Sequence, residues 1–388
     1  MHNSPSLVSL CLIGALQSVV ACGGNTGQTA NTGGAAGIIP SGTGPVTVDQ
    51  LPHEMAIAEC NLLLRCAGAA SVEYGNTSAQ CLSDFEKRVA DQSVPQLSAA
   101  IAAGSTTYDP AAARACLDTY AQLNCDYSNE QALVTACDNA WKGSVAIGGA
   151  CNSSFECVGN TGDTFCASSG TCPGHCQSRG ALGQTCTGDD ECALGAECDT
   201  STEVCKNRLK LGESCGTSTT ATGVCGGFSI CAQDSSGSYK CENLFDNGTA
   251  SEGQICDATN ACVSGLYCEA TSEQSDAASM GPVMRCQKAS SSGGACRYAT
   301  RNPCPDGQFC PASYSQAFTI SAQCTAQVAP GQSCVGSYVN ECQSDAHCTA
   351  DHVCVAIQRI GGACASVSDC YSNVCTNGLC VAPSDCSR

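Results

Sequence analysis

Hydrophobic positions fall into three regimes along this chain. Leu7 to Ala21 (LVSLCLIGALQSVVA) is a continuous apolar run, too short for a bilayer span, which needs about 20 residues. From about Val46 to Gly143, apolar residues recur at helical spacing. In MAIAECNLLLRCAG, Ala58, Leu62 and Cys66 stand at i, i+4 and i+8 on one face, with Asp49 as the candidate cap. A second helix is predicted in SAQCLSDFEKRVADQ, where Cys81, Phe85 and Val89 lie one turn apart. Asp109-Pro110 announces a third, because an acid at the N-cap followed by proline suits a helix start; it continues as AAARACLDTYAQLNC and brings Cys116 and Tyr120 together. Cys137 and the only tryptophan, Trp141, close this segment.

From Gly148 the recurring feature is cysteine. Seven units open with Gly-x-x-Cys. The first holds Cys151, Cys157 and Cys166; the second Cys186, Cys192, Cys198 and Cys205; the third Cys215, Cys225, Cys231 and Cys241. The fourth holds Cys256, Cys262, Cys268 and Cys286, and the fifth Cys296, Cys304, Cys310 and Cys324. Cys334, Cys342, Cys348 and Cys354 make the sixth, and Cys364, Cys370, Cys375 and Cys380 the seventh. An acid often precedes the second cysteine (Glu156, Glu191, Glu341, Asp369), and an aromatic often precedes the third (Phe165, Tyr267, Phe309).

A gap of nine residues recurs between the fourth cysteine and the next unit, as between Cys205 and Cys215 or Cys354 and Cys364. The stretch before the fourth cysteine varies freely, up to EATSEQSDAASMGPVMR before Cys286. Fixed gaps belong to a disulfide knot and its joint, and free gaps to exposed hairpin tips that tolerate insertion. The constant glycine is expected at positive φ in the turn entering each knot, where a Cβ is disfavoured. The predicted fold class is thus small disulfide-rich repeat modules, short β-hairpins with little regular structure. A small disulfide-stapled α-helical domain precedes them. The expected divisions are a signal peptide at 1–21, a flexible linker at 22–45, the helical six-cysteine domain at 46–143 and the repeats at 148–388.

Composition sharpens this picture. The chain has 38 cysteines in 388 residues and only 5% aromatics. That many thiols would scramble in a reducing cytosol, so an oxidising compartment is implied. Cross-links must replace a large apolar core; a bridge closing a loop of ~15 residues contributes about 3 kcal/mol by constraining the unfolded chain. The net charge of −19, with 16 basic residues among 35 acidic ones, excludes the clustered Lys and Arg that nucleic acid requires. It also excludes electrostatic adhesion to anionic lipid, leaving covalent or hydrophobic attachment.

The apolar run ends in Val19-Val20-Ala21-Cys22, followed by Gly23-Gly24. This resembles the lipobox of bacterial lipoproteins, which implies diacylglyceryl transfer to the Cys22 thiol, cleavage after Ala21 and a lipid anchor at the outer membrane or cell surface. The n-region MHNSPS lacks Lys and Arg, and Val-x-Ala also suits an ordinary signal peptidase, so simple secretion is the alternative. Asn25 to Pro45 is rich in Gly, Thr and Asn; as a random coil of ~20 residues it reaches about 25 Å, a leash.

The GxxC, [DE]C and four-cysteine rhythm from Gly148 to Arg388 is similar to the cysteine-rich repeats of bacterial surface lipoproteins that resemble the Dickkopf N-terminal cysteine-rich domain. TYDPAAARACL, and the run from Ala136-Cys137 through Trp141 to GGAC, also resemble what such proteins carry upstream. The resemblance implies architecture and no growth-factor or receptor role. Four cysteines allow three pairings; first-to-third with second-to-fourth is the arrangement expected.

Setting aside Cys11 and Cys22 leaves 36 cysteines. Cys60, Cys66, Cys81, Cys116, Cys125 and Cys137 suffice for three bridges among the helices. Cys60 and Cys66, six apart, point about 120° away from each other around a helix and need different partners. Seven units of four use 28 of the remaining thirty, so two are surplus: one of Cys172 and Cys176, and Cys386. They are expected to pair with each other, which a straight rod forbids because its ends lie too far apart, or with a second molecule.

Catalytic signatures are lacking. There is no P-loop and no C-x-x-C, and His53-Glu54 lacks the second histidine of a zincin; Gly212-Glu213-Ser214-Cys215-Gly216 spells G-x-S-x-G only as the Gly-x-x-Cys opening of the third unit. His347 and His352 flank Cys348 and Cys354 and could suggest a metal, but the same cysteine rhythm recurs without histidine. Asp189-Asp190-Glu191 lacks the spaced ligands of a calcium loop. No catalytic residue, metal ligand or cofactor is therefore expected. The function class expected is a surface-anchored binding or structural module whose partner is a protein or glycan. The alternative is a secreted inhibitor or toxin-like cysteine-knot protein.

Overall fold

In the computed structural model of the chain, the described residues are 39–383 apart from 67–77, 168–172, 189–190, 200, 217–222, 234–237, 244–247, 257–260, 263–265, 275–281, 289, 298–303, 306, 313–321, 337–340 and 344. Four α-helices lie between Leu51 and Cys137: α1 (Leu51–Cys66), α2 (Ser78–Ala102), α3 (Pro110–Tyr120) and α4 (Glu130–Cys137). Beyond them the chain is short strand pairs and turns. None of the described helices is long and apolar enough to cross a membrane.

Ala58, Leu62 and Cys66 of α1 are all buried, as the periodicity requires. The start of α1 differs from expectation. Asp49 sits inside a 3-10 turn, Val48–Gln50, and Thr47 is the capping residue. Gln50 Oε1 accepts from Thr47 N at 3.0 Å, closing the turn in a way that Asp49 does not. The second helix runs on through Pro95 to Ala102. An interior proline costs about 3 kcal/mol, and burial of Leu97 and Ala100 in the turns beyond it offsets that loss. Asp109 caps α3 as read, its carboxylate accepting from Ala111 N and Ala112 N at 2.9 and 3.1 Å.

Two elements escape the periodicity. One is α4, at eight residues too short for a strong helical signature. The other is a two-stranded sheet of β1 (Thr106–Tyr108) and β2 (Trp141–Gly143), with Thr106 opposite Gly143 and Tyr108 opposite Trp141. Gly143 ends β2 where the first repeat unit crosses it: a Cβ there would lie 2.2 Å from Cys157 O. Only glycine allows that approach.

Cys60–Cys81, Cys66–Cys125 and Cys116–Cys137 staple the helices. Their sulfurs belong to one apolar cluster with Leu62, Leu63, Leu97, Leu117, Tyr120 and Leu133. Phe228 of the third unit lies in the same cluster, and Phe155 of the first packs against it. Trp141 meets Phe155 edge-on at 6.1 Å and Tyr127 meets Phe228 likewise at 6.2 Å, the geometry aromatic quadrupoles favour. The repeat array therefore begins inside the helical core. It also returns there: the sixth and seventh units reach α2, where Lys87 pairs with Asp345 and Asp91 with Arg359.

Candidate functional site

The repeated unit is built the same way seven times. Each opens with a four-residue turn closed by a backbone hydrogen bond, such as Ala146 O to Gly149 N at 2.9 Å, Ala181 O to Gln184 N at 3.1 Å and Arg359 O to Gly362 N at 2.9 Å. The third residue of the turn is always glycine at positive φ: Gly148, Gly183, Gly212, Gly253, Gly293, Gly331 and Gly361, between +66° and +89°. This is the type II pattern, which demands left-handed backbone at that place. The unit's fourth cysteine clamps the turn. Cys205 N donates to Gln184 O at 2.8 Å while Gly183 N donates to Cys205 O at 2.9 Å, and Cys380 with Gly361 and Gly362 repeats both bonds.

The recurrent acid before the second cysteine has an equally local task. Glu341 accepts from Val335 N and Gly336 N at 2.7 and 2.9 Å. Asp369 accepts from Ala365 N and Ser366 N at 2.7 and 2.8 Å. Glu191 accepts from Thr187 N at 2.8 Å. Each carboxylate thus satisfies the backbone that turns away from the first cysteine, as a helix cap would. Burial disfavours the charged Asp369, yet those N–H groups and His347 hold its pKa below the usual carboxylate range.

Cysteines join first to third and second to fourth. The first unit has Cys151–Cys166 and Cys157–Cys176, the second Cys186–Cys198 and Cys192–Cys205, the third Cys215–Cys231 and Cys225–Cys241. The fifth has Cys296–Cys310 and Cys304–Cys324, the sixth Cys334–Cys348 and Cys342–Cys354, the seventh Cys364–Cys375 and Cys370–Cys380. In the fourth, Cys256 joins Cys268 and Cys286 is also disulfide-bonded; the side chain of Cys262 lies outside those described. Of the two candidates in the first unit, Cys176 is the fourth cysteine. Cys22, Cys172 and Cys386 lie outside the described residues.

A hairpin between the third and fourth cysteines completes each unit. Cys375 faces Cys380 across the shortest, and Cys268 faces Cys286 across the longest, Leu266–Gln274 paired with Pro282–Lys288. Several units are jointed by parallel pairing, single bridges at Gly180 to Cys192 and Gln358 to Cys370 and a short strand pair at Arg208–Leu209 with Val224–Cys225. The constant parts of the sequence are therefore the knot and joint, and the variable parts lie at the hairpin ends.

Several sulfur triads, such as Cys151, Cys157 and Cys176, lie within 4.8 Å of one another. All three are oxidised in bridges and offer no thiolate for a metal. The histidines near cysteines have other work. His347 Nε2 lies 3.1 Å from Asp369 Oδ1 and His352 Nδ1 lies 3.2 Å from Val335 O. His53 pairs with Glu86 at 3.0 Å. Asp189 and Asp190 lie outside the described residues.

The densest buried charge stands between the second unit and α4. Arg208 pairs with Glu130 and, at 2.8 Å, with Glu197, its guanidinium 5.7 Å from the Tyr127 ring centroid. Burial works against the Arg208 charge, but the two carboxylates outweigh it and raise its pKa. Deeper in the helices, burial raises the Glu59 pKa to about 7 although Tyr120 donates a hydrogen bond to it. These groups tie elements together.

A cleft of about 460 Å³ lies where α2 meets the last two units. Lys87, Asp345, Arg359, Ile360 and Tyr371 line it. No sequence motif marks it, because its lining joins Lys87 of α2 to residues of the last two units. No family model, curated protein or solved structure matches the chain.

Proposed function

We propose that the chain is an exported, lipid-anchored surface protein of a bacterium that presents its repeat units to a protein or glycan partner. The disulfide content places it outside a reducing compartment. The observation that carries the binding role is the division of labour within each unit: an unvarying knot supports a hairpin whose length runs from Cys375–Cys380 to Cys268–Cys286. Rigid frameworks bearing variable loops are how proteins present recognition surfaces. The small helical segment with its own staples serves as the base from which the array starts, and 22–45 as the leash below it. The resemblance of the GxxC and [DE]C rhythm to that of bacterial surface lipoproteins supports the same reading.

Two measurements test it. Metabolic labelling with palmitate should mark the chain, and Cys22→Ser should abolish the label and leave precursor or soluble protein. Normal maturation of that variant would replace anchoring by secretion, and with it favour the diffusing-inhibitor alternative. Mature chain applied to arrays of surface polysaccharides and extracellular proteins should bind saturably to a member. Shortening the Cys268–Cys286 hairpin to the length of Cys375–Cys380 should lower that affinity at least tenfold; a binding role for the hairpins fails if no member binds or if shortening every long hairpin changes nothing.

A further inference from the structure

The two ends of the repeat array meet the helices by different chemistry. At the near end the contact is apolar and interior. Phe228 is 5% exposed within the helical cluster, and its backbone N–H donates to Cys125 O at 2.7 Å. Phe155 packs on the same cluster beneath Trp141. At the far end polar contacts predominate, around the buried Tyr371 ring, whose centroid lies 5.6 Å from Lys87 Nζ. Lys87 Nζ lies 2.7 Å from Asp345 Oδ1. Asp91 takes Arg359 Nε at 2.7 Å and Ile360 N at 3.1 Å. Gln92 Nε2 donates to Tyr371 O at 2.7 Å and Gln96 Nε2 to Pro383 O at 3.1 Å. These four side chains stand at 87, 91, 92 and 96, two i, i+4 pairs that together span about half the circumference of α2.

The last two units also hold each other. His347 of the sixth faces Asp369 of the seventh at 3.1 Å, and Tyr371 OH donates to Asp345 Oδ1 at 3.2 Å. Ile357 N donates to Asp345 O at 2.7 Å and Gln358 N to Asp369 O at 2.6 Å. With two disulfides inside each, they move as one body or not at all.

We infer that the sixth and seventh units form a releasable arm, docked on the polar face of α2 and freed from it by ionic strength while the rest of the molecule stays folded. The physical reason lies in what separation exposes. Freeing the near end would bring Phe228 and Phe155 into water, which apolar burial opposes. Freeing the far end exchanges Lys87–Asp345, Arg359–Asp91 and two glutamine hydrogen bonds for bonds to water, an exchange of small net cost. Each ion pair has one partner open to salt, Asp345 at 54% and Arg359 at 55% exposed, against 26% for Lys87 and 3% for Asp91. The cleft of about 460 Å³ lies along this seam and marks where the two bodies separate. The inference rests on the docking geometry alone and holds whether or not Cys22 is acylated.

The Lys87–Asp345 pair supplies its own reporter, because a carbodiimide converts a touching amine and carboxylate into an amide. The mature chain is treated at about 0.05 M and about 1 M sodium chloride, a change that shrinks the Debye length from above 10 Å to about 3 Å. Cross-linked peptides are quantified against the Lys206–Asp199 pair, which lies within one hairpin of the second unit. Release predicts that the Lys87–Asp345 yield falls at least threefold relative to Lys206–Asp199, and that the radius of gyration from small-angle scattering rises over the same range. Lys87→Glu with Arg359→Glu should show the larger radius already at low salt with every disulfide intact. Lys87→Glu with Asp345→Lys should dock like wild type at low salt and release with it. A ratio and radius that both stay constant to 1 M salt would overturn the inference, and so would a double charge reversal that scatters like wild type.

Discussion

Between Leu51 and Cys137, three disulfides accompany a packed apolar core; in the second repeat unit, two disulfides are nearly all the core there is. Leu62, Leu63, Leu97, Leu117 and Leu133 surround the helical bridges. The second unit buries Cys186, Cys192, Ala196, Cys198 and Cys205 together, the fifth Cys296, Cys304, Cys310, Cys324 and Ala312. Both regions carry structural bridges, but they do not depend on them equally. A helix with an apolar face can bury that face against another helix. A hairpin of a few residues has nothing of its own to bury and must be held by covalent constraint on its unfolded state.

The largest effect should come from removing both bridges of one unit. In Cys334→Ser with Cys342→Ser, loops of 14 and 12 residues are released, each worth about 3 kcal/mol. The sixth unit should lose its amide-exchange protection entirely while that of α3 and α4 is unchanged. If the sixth unit kept its protection, the contrast between the regions would be wrong.

Leu117→Ala strikes the other side. Leu117 is 2% exposed in the helical cluster, and truncating such a leucine costs about 3 kcal/mol. The helical signal in circular dichroism should melt several degrees lower with every disulfide of the repeats still formed, as an intact-mass thiol count would show.

Glu59 makes the helical core sensitive to pH in a way the knots are not. Its folded pKa, about 7, lies above the ordinary carboxyl value of 4.5. A raised carboxyl pKa means that the folded state binds the proton more tightly. The stability it lends is complete below about pH 4.5 and is lost as pH rises through about 7, up to about 3 kcal/mol in all. Denaturant midpoints should therefore fall between pH 4.5 and 8 for wild type, and that slope should flatten in Glu59→Gln. An equal slope in the variant would assign the pH dependence elsewhere.

The smallest change tests the turns. Gly183 has φ of +84° with open space where a Cβ would sit. Gly183→Ala should cost about 1 kcal/mol from backbone strain alone, read as faster local exchange at Gln184 and Cys205 without loss of either bridge of that unit.

Local features were legible because each depends on nearby residues. The glycine of each GxxC turn is dictated by backbone sterics, and the cap of α3 by Asp109-Pro110. Where the signal was local but shared, choices went astray: Asp49 and Thr47 are both good capping residues, and hydrogen bonding with Gln50 decided for Thr47. α2 runs beyond the predicted segment and through Pro95 to Ala102, held by burial at Leu97, an energy no local window contains.

By itself the sequence determined that this is an oxidised, exported chain of glycine-turn, disulfide-knotted units, since cysteine chemistry and φ angles are properties of residues and their spacing. Which side of α2 takes the end of the array was decided only in three dimensions. Asp91 and Arg359 stand 268 residues apart, and nothing in a lysine, an aspartate or a glutamine on a helix announces that its partner is a distant backbone rather than water. Polar surface and polar interface share one composition, and only the folded chain distinguishes them.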